Sequence, residues 1–293
     1  MTAPTTSTAT TSTAAAATGT PAPKKSAIAP EGPRTTSVLQ QWWVLTTRMV
    51  KPSLRNGEIA TLAAASVMFT AGFYISLKEI TGPFTGMSSY AQFLTPMIVV
   101  VAITFSAVSA AFRSATDAQQ GINRRFRTMP ILALTPLASR IAASMCRCTI
   151  ALVVSLICGY VIGFRFYGPL VDTVAFIGLA LLIGAALSML GDFIGAATEN
   201  PESTTHLILL PQLILGFLSV GVQPAERFPE WVQPFVRNQP ASQFVSALRA
   251  LAGDKTPTAL EVSWGTIGPS LLWALGMIAV VAPLQLLVAR RRQ

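Results

Sequence analysis

The chain has 293 residues, of which 52% are hydrophobic and only 11% are charged. Because soluble domains carry about 25% charged residues, this composition excludes an ordinary soluble globular protein. The apolar residues are concentrated in runs long enough to cross a bilayer, which takes about 20 residues of helix. The formal net charge is +9, but the basic residues lie between apolar runs and form no stripe interleaved with aromatic side chains. The sequence therefore does not indicate nucleic-acid binding.

The sequence contains no recognisable set of catalytic or metal-binding residues. Its three cysteines, Cys146, Cys148 and Cys158, lie in one apolar run, and His206 is the single histidine. Neither a disulfide framework nor a zinc site is therefore expected. No phosphate-binding run of the form G-x-x-x-x-G-K-[ST] occurs, and no paired carboxylates within an apolar run suggest acid–base chemistry. We predict a protein that is not an enzyme and that has no metal site.

Residues 1–36 form a low-complexity segment rich in Thr, Ala, Ser and Pro. Such a segment buries too little apolar surface to offset the entropy lost on ordering it. It contains no apolar core followed by a cleavage site, so it does not have the pattern of a signal peptide. We expect a disordered cytoplasmic tail over residues 1–36 and one transmembrane domain over residues 37–293.

The next segment is predicted to be an amphipathic helix over residues 38–50, because apolar residues recur there at spacings of three and four. The paired Trp42 and Trp43 and the basic residues around them suit the membrane interface. Pro52 and Gly57 are expected to break this helix before the first membrane span.

Six apolar runs then predict six transmembrane helices. The predicted spans are residues 59–77, 93–112, 141–164, 173–191, 205–222 and 267–289. The fifth is short and contains Pro211 and Gly216, so we expect it to be bent or joined to further membrane-embedded structure. The fold class is thus an all-α integral membrane protein with six transmembrane helices and an N-terminal amphipathic interfacial helix.

The distribution of Lys and Arg predicts the orientation. With a cytoplasmic N-terminus, the inner segments carry 14 of these residues and the outer segments carry six. The positive-inside rule therefore favours a multi-pass protein of the cell membrane with both termini in the cytoplasm. Two charges fall within spans. Arg147, in the third span, either extends to the cytoplasmic interface or contacts substrate. Asp192, near the inner end of the fourth span, likewise either reaches the interface or takes part directly in transport.

Two connections between spans have unusual sequences. The inner connection, residues 113–130, has the pattern of a short helix with a basic end stopped by Pro130, although it is equally compatible with a cluster of charges that only sets topology. In the outer connection, Pro229, Pro234 and Pro240 restrict the chain to very short helices with an apolar side suited to the outer interface. A longer amphipathic helix is predicted after Pro240, ending at Gly253.

These two connections resemble those of the ABC type-2 exporter permeases. In the inner connection the similarity rests on Phe112, Arg113, Asp117, Gly121, Arg124, Arg125, Met129 and Pro130. In the outer connection it rests on Pro229, Trp231, Asn238, Pro240, Leu248 and Arg249. Longer runs, at residues 112–117, 158–166, 234–240 and 250–254, resemble mycobacterial permeases of the daunorubicin-resistance kind. The resemblance covers roughly residues 40–290.

The resemblance implies a function in ATP-driven export. Such permeases have six spans, pair as dimers and sit on separate cytoplasmic ATPase subunits, which would bind the ATP and Mg²⁺; the resemblance favours a heterodimer. The implied ATPase-coupling residues are Trp42, Trp43, Arg48, Arg113, Asp117, Gly121, Arg124, Arg125, Met129 and Pro130. The implied extracellular cap comprises short membrane-embedded helices with Pro229, Trp231, Pro234, Phe235, Asn238, Pro240 and Arg249.

The implied cargo is a hydrophobic or amphiphilic molecule taken from the inner leaflet, either a lipid of the phthiocerol dimycocerosate type or an anthracycline-like drug. A membrane-embedded lipid-modifying enzyme and a secondary transporter are the alternatives. The first needs a nucleophile or paired acids near an interface, and the second more often shows coupling-ion carboxylates and an internal repeat. Neither feature is visible in the sequence.

Overall fold

The computed structural model describes residues 38–55, 57–81, 85–122, 135–198, 200–256 and 260–291. The predicted tail of residues 1–36 lies outside this part of the chain, as do Arg124, Arg125, Met129 and Pro130. The described residues contain helices and no strand. The α-helices are α1 Val38–Arg55, α2 Glu58–Thr81, α3 Tyr90–Gln119, α4 Thr135–Ile162, α5 Leu170–Thr198, α6 Pro201–Phe217, α7 Gln233–Asn238, α8 Pro240–Ala252 and α9 Trp264–Arg291.

Five of these helices, α2, α3, α4, α5 and α9, are long and apolar enough to cross a membrane. The prediction of an all-helical, multi-pass membrane protein is therefore confirmed. The predicted fifth span corresponds to α6, which has 17 residues and ends at Phe217 rather than at residue 222. At 1.5 Å per residue this helix is about 25 Å long, which is shorter than a hydrocarbon core of about 30 Å.

Helix α3 lies at the centre of the bundle, where 72% of its membrane-spanning stretch is buried. It packs most extensively against α5, and glycines of α5 allow the two backbones to approach closely. A Cβ added at Gly191 would lie 2.6 Å from the carbonyl oxygen of Ala107, and one at Gly195 would collide with the carbonyl oxygen of Ala111. These two glycines therefore set the distance between α3 and α5.

Helices α1, α3 and α5 each continue five or more residues beyond their predicted C-terminal ends. The prediction that Pro52 breaks the first helix is wrong, because α1 continues to Arg55. The Ser53 hydroxyl donates to the Met49 carbonyl, and α1 packs against α4. The break falls instead at Gly57, whose φ of 75° suits glycine.

The extensions of α3 and α5 change where the polar residues lie. Helix α3 runs through Arg113 and Asp117 to Gln119 without interruption, so these two residues belong to a membrane helix and not to a separate loop helix. Helix α5 continues to Thr198. Asp192, which the sequence placed near the inner end of its span, is therefore followed by six more helical residues.

Helix α1 lies at one end of the bundle, called the α1 end, and helix α8 lies at the other, called the α8 end. The α1 end contains Glu58, Arg113 and Arg147. The α8 end contains the connections between spans at Gly163 and Gly253. The starts of α2 and α4 and the last turns of α3 and α5 meet at the α1 end, so these four helices alternate in direction.

Candidate functional site

A cavity of about 720 Å³ opens at the α1 end, between α1, α2, α3, α4, α5 and α6. Its walls combine apolar side chains with an unusual number of charged ones. The apolar lining includes Leu45, Met49, Leu62, Phe105, Val108 and Phe112. The charged lining comprises Arg48, Glu58, Arg113, Asp117, Arg140, Arg147 and Asp192. Buried or half-buried charges at membrane depth mark functional sites by default, because each is costly to keep there.

Glu58, in the first turn of α2, is the centre of the first ion-pair cluster. It accepts hydrogen bonds from the Arg113 guanidinium of α3 and from the Ser109 hydroxyl. Its Oε1 also lies 3.7 Å from Nε of Arg147, a residue of α4 that is only 4% exposed. One carboxylate thus links three helices. The sequence allowed Arg147 to extend to the cytoplasmic interface, but the side chain is buried beside Glu58 instead.

A second cluster joins α3, α4 and α5 on the same cavity wall. Arg140 of α4 donates to the Asp117 carboxylate of α3 at 2.9 Å and to the Ser114 hydroxyl at 3.2 Å. The Ser114 hydroxyl in turn donates to the backbone carbonyl of Asp192 at 2.8 Å. Movement of the last turns of α3 is therefore linked to α4 and α5 through these bonds.

Helix α1 contributes one side of the cavity and exposes another. Leu45, Arg48 and Met49 line the cavity. Trp42 and Trp43 contact each other with ring centroids 6.4 Å apart, and Trp43 is 64% exposed. The tryptophan pair therefore lies beside the cavity, with Trp43 directed outward.

The structure brings together only part of the predicted coupling set. Arg48, Arg113 and Asp117 meet in the cavity wall, whereas Gly121 follows the end of α3 with a φ of 66°. Glu58 and Arg140 were not among the predicted site residues. The sequence did offer a signal for Glu58, since it is an acidic residue at the start of an apolar run, but its partners lie 55 and 89 positions away along the chain.

The predicted cap residues lie in the connection between α6 and α9. Pro234 is in the first turn of α7 and Pro240 is the first residue of α8, as their proline chemistry favours. Helix α8 ends at Gly253 as predicted. Pro229 precedes a short turn, in which Trp231 is 84% exposed, and Phe235 is 49% exposed. The Asn238 side-chain amide donates to the carbonyl of Pro234.

Arg249 of α8 has a different environment from the other predicted cap residues, because it is only 6% exposed. Its guanidinium donates to the carbonyls of Phe93 at 2.9 Å, Val220 at 2.9 Å and Gly221 at 3.2 Å. It also lies over the Phe93 ring, 3.6 Å from the centroid. Arg249 thus joins α8 to the start of α3 and to the segment after α6.

Asp254, just after α8, forms further hydrogen bonds at the α8 end. Partial burial by itself would raise the pKa of the Asp254 carboxyl. Hydrogen bonds from the Ser88 hydroxyl and backbone N–H and from the Thr256 hydroxyl outweigh this effect and lower the pKa below its ordinary value. The carboxylate therefore holds the residues before α3 against the end of α8.

Comparison with known proteins identifies the family. Residues 35–286 match the ABC-2 family transporter protein model. The chain is 45% identical over 265 residues to the doxorubicin resistance ABC transporter permease protein DrrB of Mycobacterium tuberculosis, covering 88% of this chain and 92% of the relative. It is 27% identical to the daunorubicin resistance ABC transporter permease protein DrrB1 of Streptomyces coeruleorubidus, over 69% of this chain and 70% of the relative.

A further relative is the probable doxorubicin resistance ABC transporter permease protein DrrC of Mycobacterium tuberculosis. It is 27% identical, over 68% of this chain and 69% of its own length. The resemblance seen in the sequence is confirmed by these matches, which include the helices that build the cavity. This multi-pass membrane protein belongs to the ABC-2 transporter family.

Proposed function

We propose that this chain is the non-catalytic permease subunit of an ATP-driven exporter that moves amphiphilic molecules outward from the inner leaflet. Family membership supports the transport role. The single structural observation that carries the proposal is the cavity at the α1 end, whose polar wall links α2, α3, α4 and α5 through Glu58, Asp117 and Ser114. A displacement applied at this end would reach the cavity directly.

The proposed topology has six spans, with both termini in the cytoplasm. The excess of Lys and Arg in the predicted inner segments supports this orientation. In the proposal, α6 and the turns after it make the fifth crossing together, because α6 alone is shorter than the hydrocarbon core. Helix α1 lies at the inner interface, and α7 and α8 form the partly embedded outer cap.

The proposed coupling surface receives a separate ABC ATPase, which would bind ATP and Mg²⁺. It comprises the α1 tryptophans, Arg48, the last turns of α3 and the connection that follows them. Arg113 and Asp117 would transmit the ATPase movement, because each is paired with a residue on another helix. Arg124, Arg125, Met129 and Pro130 are assigned to the same surface from the resemblance alone.

A second permease is the other proposed partner, and we favour a different chain over an identical one. Mycobacterium tuberculosis has two permeases, DrrB and DrrC, that are both similar to this chain at 45% and 27% identity. Two such permeases in one organism are compatible with pairing of unlike subunits. The names of the relatives, which refer to doxorubicin and daunorubicin resistance, support a drug as cargo, and a lipid of the phthiocerol dimycocerosate type is the second proposed cargo.

Reconstituted transport tests the proposal. The chain would be co-expressed with its ATPase and a second permease, placed in proteoliposomes, and supplied with doxorubicin and ATP. We expect drug movement that needs ATP and stops when the ATPase is inactivated. Transport driven by an ion gradient without ATP would favour a secondary transporter, and chemical change of a lipid would favour the enzyme alternative.

The Asp117→Asn variant tests the coupling assignment in the same system. It removes the charge that Arg140 pairs with, so ATP hydrolysis should continue while transport falls. Glu226→Gln is the matched control, since it removes a carboxylate from an exposed pair with Arg237 at the α8 end. Equal transport by both variants would contradict the assignment.

A further inference from the structure

The cavity at the α1 end has a wall with a surplus of positive charge. Its charged lining contains four arginines and three carboxylates, namely Arg48, Arg113, Arg140 and Arg147 against Glu58, Asp117 and Asp192. Glu58 is shared between Arg113 and Arg147, and Asp117 pairs with Arg140. Even with all three carboxylates ionised, the wall therefore carries one cation more than it has anions.

Arg48 is the cation of this wall that has no partner. It forms no hydrogen bond or ion pair with any residue in the part of the chain that the structure describes. Helix α1 contains no acidic residue that could pair with it. The Arg48 side chain lines the cavity and is also exposed, so it lies at the mouth. Because arginine is always charged in proteins, the mouth carries a permanent positive charge that an anion would balance.

A second guanidinium offers free hydrogen-bond donors to the same cavity. Arg113 donates to Glu58 through Nε and Nη2, and its Nη1 has no acceptor among the described residues. The Arg113 side chain is 32% exposed, so a ligand in the cavity can reach it. Guanidinium groups suit phosphate oxygens, because they present several N–H donors in one plane. The ligand chemistry that fits this wall is therefore a phosphate group.

The remaining lining favours a lipid over a free phosphate ion. Leu45, Met49, Leu62, Phe105 and Val108 face the same space. A phosphate ion would leave these side chains without contacts, whereas an acyl chain would pack against them and leave water. The cavity volume of about 720 Å³ falls within the range of roughly 300–1,000 Å³ in which proteins enclose small organic ligands.

We propose that this cavity binds an acidic phospholipid of the inner leaflet, with the phosphate on Arg48 and an acyl chain along the apolar lining. The lipid balances the surplus charge at the mouth, and the free Nη1 of Arg113 provides further donors on the same wall. The lipid is a bound ligand of the permease and not its cargo. The inference rests on the proposed function for one point, the placement of the α1 end at the inner leaflet.

Native mass spectrometry of the full chain in detergent tests the inference, since it counts the lipids bound to each protein. The chain would be titrated with dioleoyl phosphatidylglycerol, which is acidic, and with dioleoyl phosphatidylcholine, whose choline cancels the charge of the phosphate. We expect the first phosphatidylglycerol to bind at least about fivefold more tightly than the first phosphatidylcholine, which corresponds to about 1 kcal/mol. Glycerol phosphate at equal concentration should not displace the lipid; displacement would show that phosphate alone is recognised and would overturn the lipid assignment.

Three variants assign this preference to Arg48. Arg48→Gln removes the unpaired charge and should bind both lipids with the weaker affinity of phosphatidylcholine, whereas Arg48→Lys should keep a preference for phosphatidylglycerol. Arg55→Gln is the matched control, because it removes an exposed positive charge from the same helix outside the cavity lining. It should behave like the unmodified chain. A preference that persists in Arg48→Gln, or that is lost equally in Arg55→Gln, would overturn the inference.

The unmodified chain provides an independent decision if Arg48→Gln does not fold, because equal affinity for the two lipids would by itself overturn the inference. The measurement contains neither ATP nor the ATPase, so a contact of Arg48 with the ATPase cannot contribute to it. ATP-driven transport by a chain that shows no lipid preference would reject only the lipid site. A lipid preference without ATP-driven transport would reject only the export function.

Discussion

Arg249 shows how one buried cation can stabilise a region of irregular backbone. Helix α6 ends at Phe217, and the carbonyls of Val220 and Gly221 follow in turns that cannot pair them within a helix. The planar guanidinium offers several donors in a fixed geometry, which suits it to bind carbonyls on two separate segments. Within a membrane, backbone of this kind would require such internal partners.

Arg249→Ala is predicted to destabilise the protein strongly. The change removes the guanidinium donor from three carbonyls, those of Phe93 and Gly221 being buried and that of Val220 partly buried, at a cost of about 3 kcal/mol or more in the free energy of unfolding. Arg237→Ala is the control, because Arg237 forms an exposed pair with Glu226 that contributes about 1 kcal/mol or less. Thermal unfolding in detergent measures both, and equal midpoints would contradict the assigned role.

The Asp254 carboxylate is predicted to contribute stability that depends on pH. Its pKa is lower in the folded protein than its ordinary value of 3.8. The contribution is therefore fully present at pH values well above 3.8 and is lost as the pH falls through the folded pKa. Asp254→Asn should lower the unfolding temperature at pH 7, and the difference from the unmodified chain should shrink as the pH is lowered from 6 through the folded pKa. A difference that is constant over this range would contradict the prediction.

At the scale of elements, the contact between α3 and α5 determines the geometry of the cavity. Ser114 and Asp117 on α3, and Asp192 on α5, reach the same wall because the two helices pack backbone to backbone. Small residues at such contacts are common between membrane helices, since dispersion contacts replace the hydrophobic effect there. The position of each charged residue therefore depends on glycines that carry no charge.

Gly191→Ala is predicted to disturb this contact. The added methyl group would lie 2.6 Å from the Ala107 carbonyl oxygen, so the helices must separate, at a cost of about 1–3 kcal/mol. Gly178→Ala on the same helix is the control, because a Cβ there meets no atom within 4 Å. Alanine is the better helix former by about 1 kcal/mol, so Gly178→Ala should not destabilise. Unfolding midpoints that fall equally in both variants would refute this account.

At the scale of the whole molecule, the six-span proposal places the α1 end in the cytoplasm and the α8 end outside. Arg48 and Glu226 are exposed at these opposite ends and can report the orientation. In a chain whose three cysteines have been replaced, Glu226→Cys should react with an impermeant maleimide in intact cells, whereas Arg48→Cys should react only after permeabilisation. The reverse pattern would invert the topology, and labelling of both in intact cells would contradict the span count.

The sequence predicted the helical elements well, because their determinants are local. A run of about 20 apolar residues is sufficient to indicate a membrane helix, and the closely spaced prolines of the outer connection were sufficient to predict short helices there. Predicted ends were less accurate. Polar residues such as Arg113 and Asp192 suggested the ends of spans, yet α3 and α5 continue through both positions, because neighbouring helices provide a polar environment for them.

By itself the sequence determined the class of protein, the helical elements and the family resemblance, since these depend on composition, periodicity and short motifs. Only the tertiary structure decided which charges meet. Glu58 contacts Arg113 and Arg147 across three helices, and Asp117 of α3 meets Arg140 of α4. Such pairings depend on the rotation and spacing of packed helices, which are set by distant contacts such as that of Gly195 with Ala111. Local sequence patterns carry no record of those contacts.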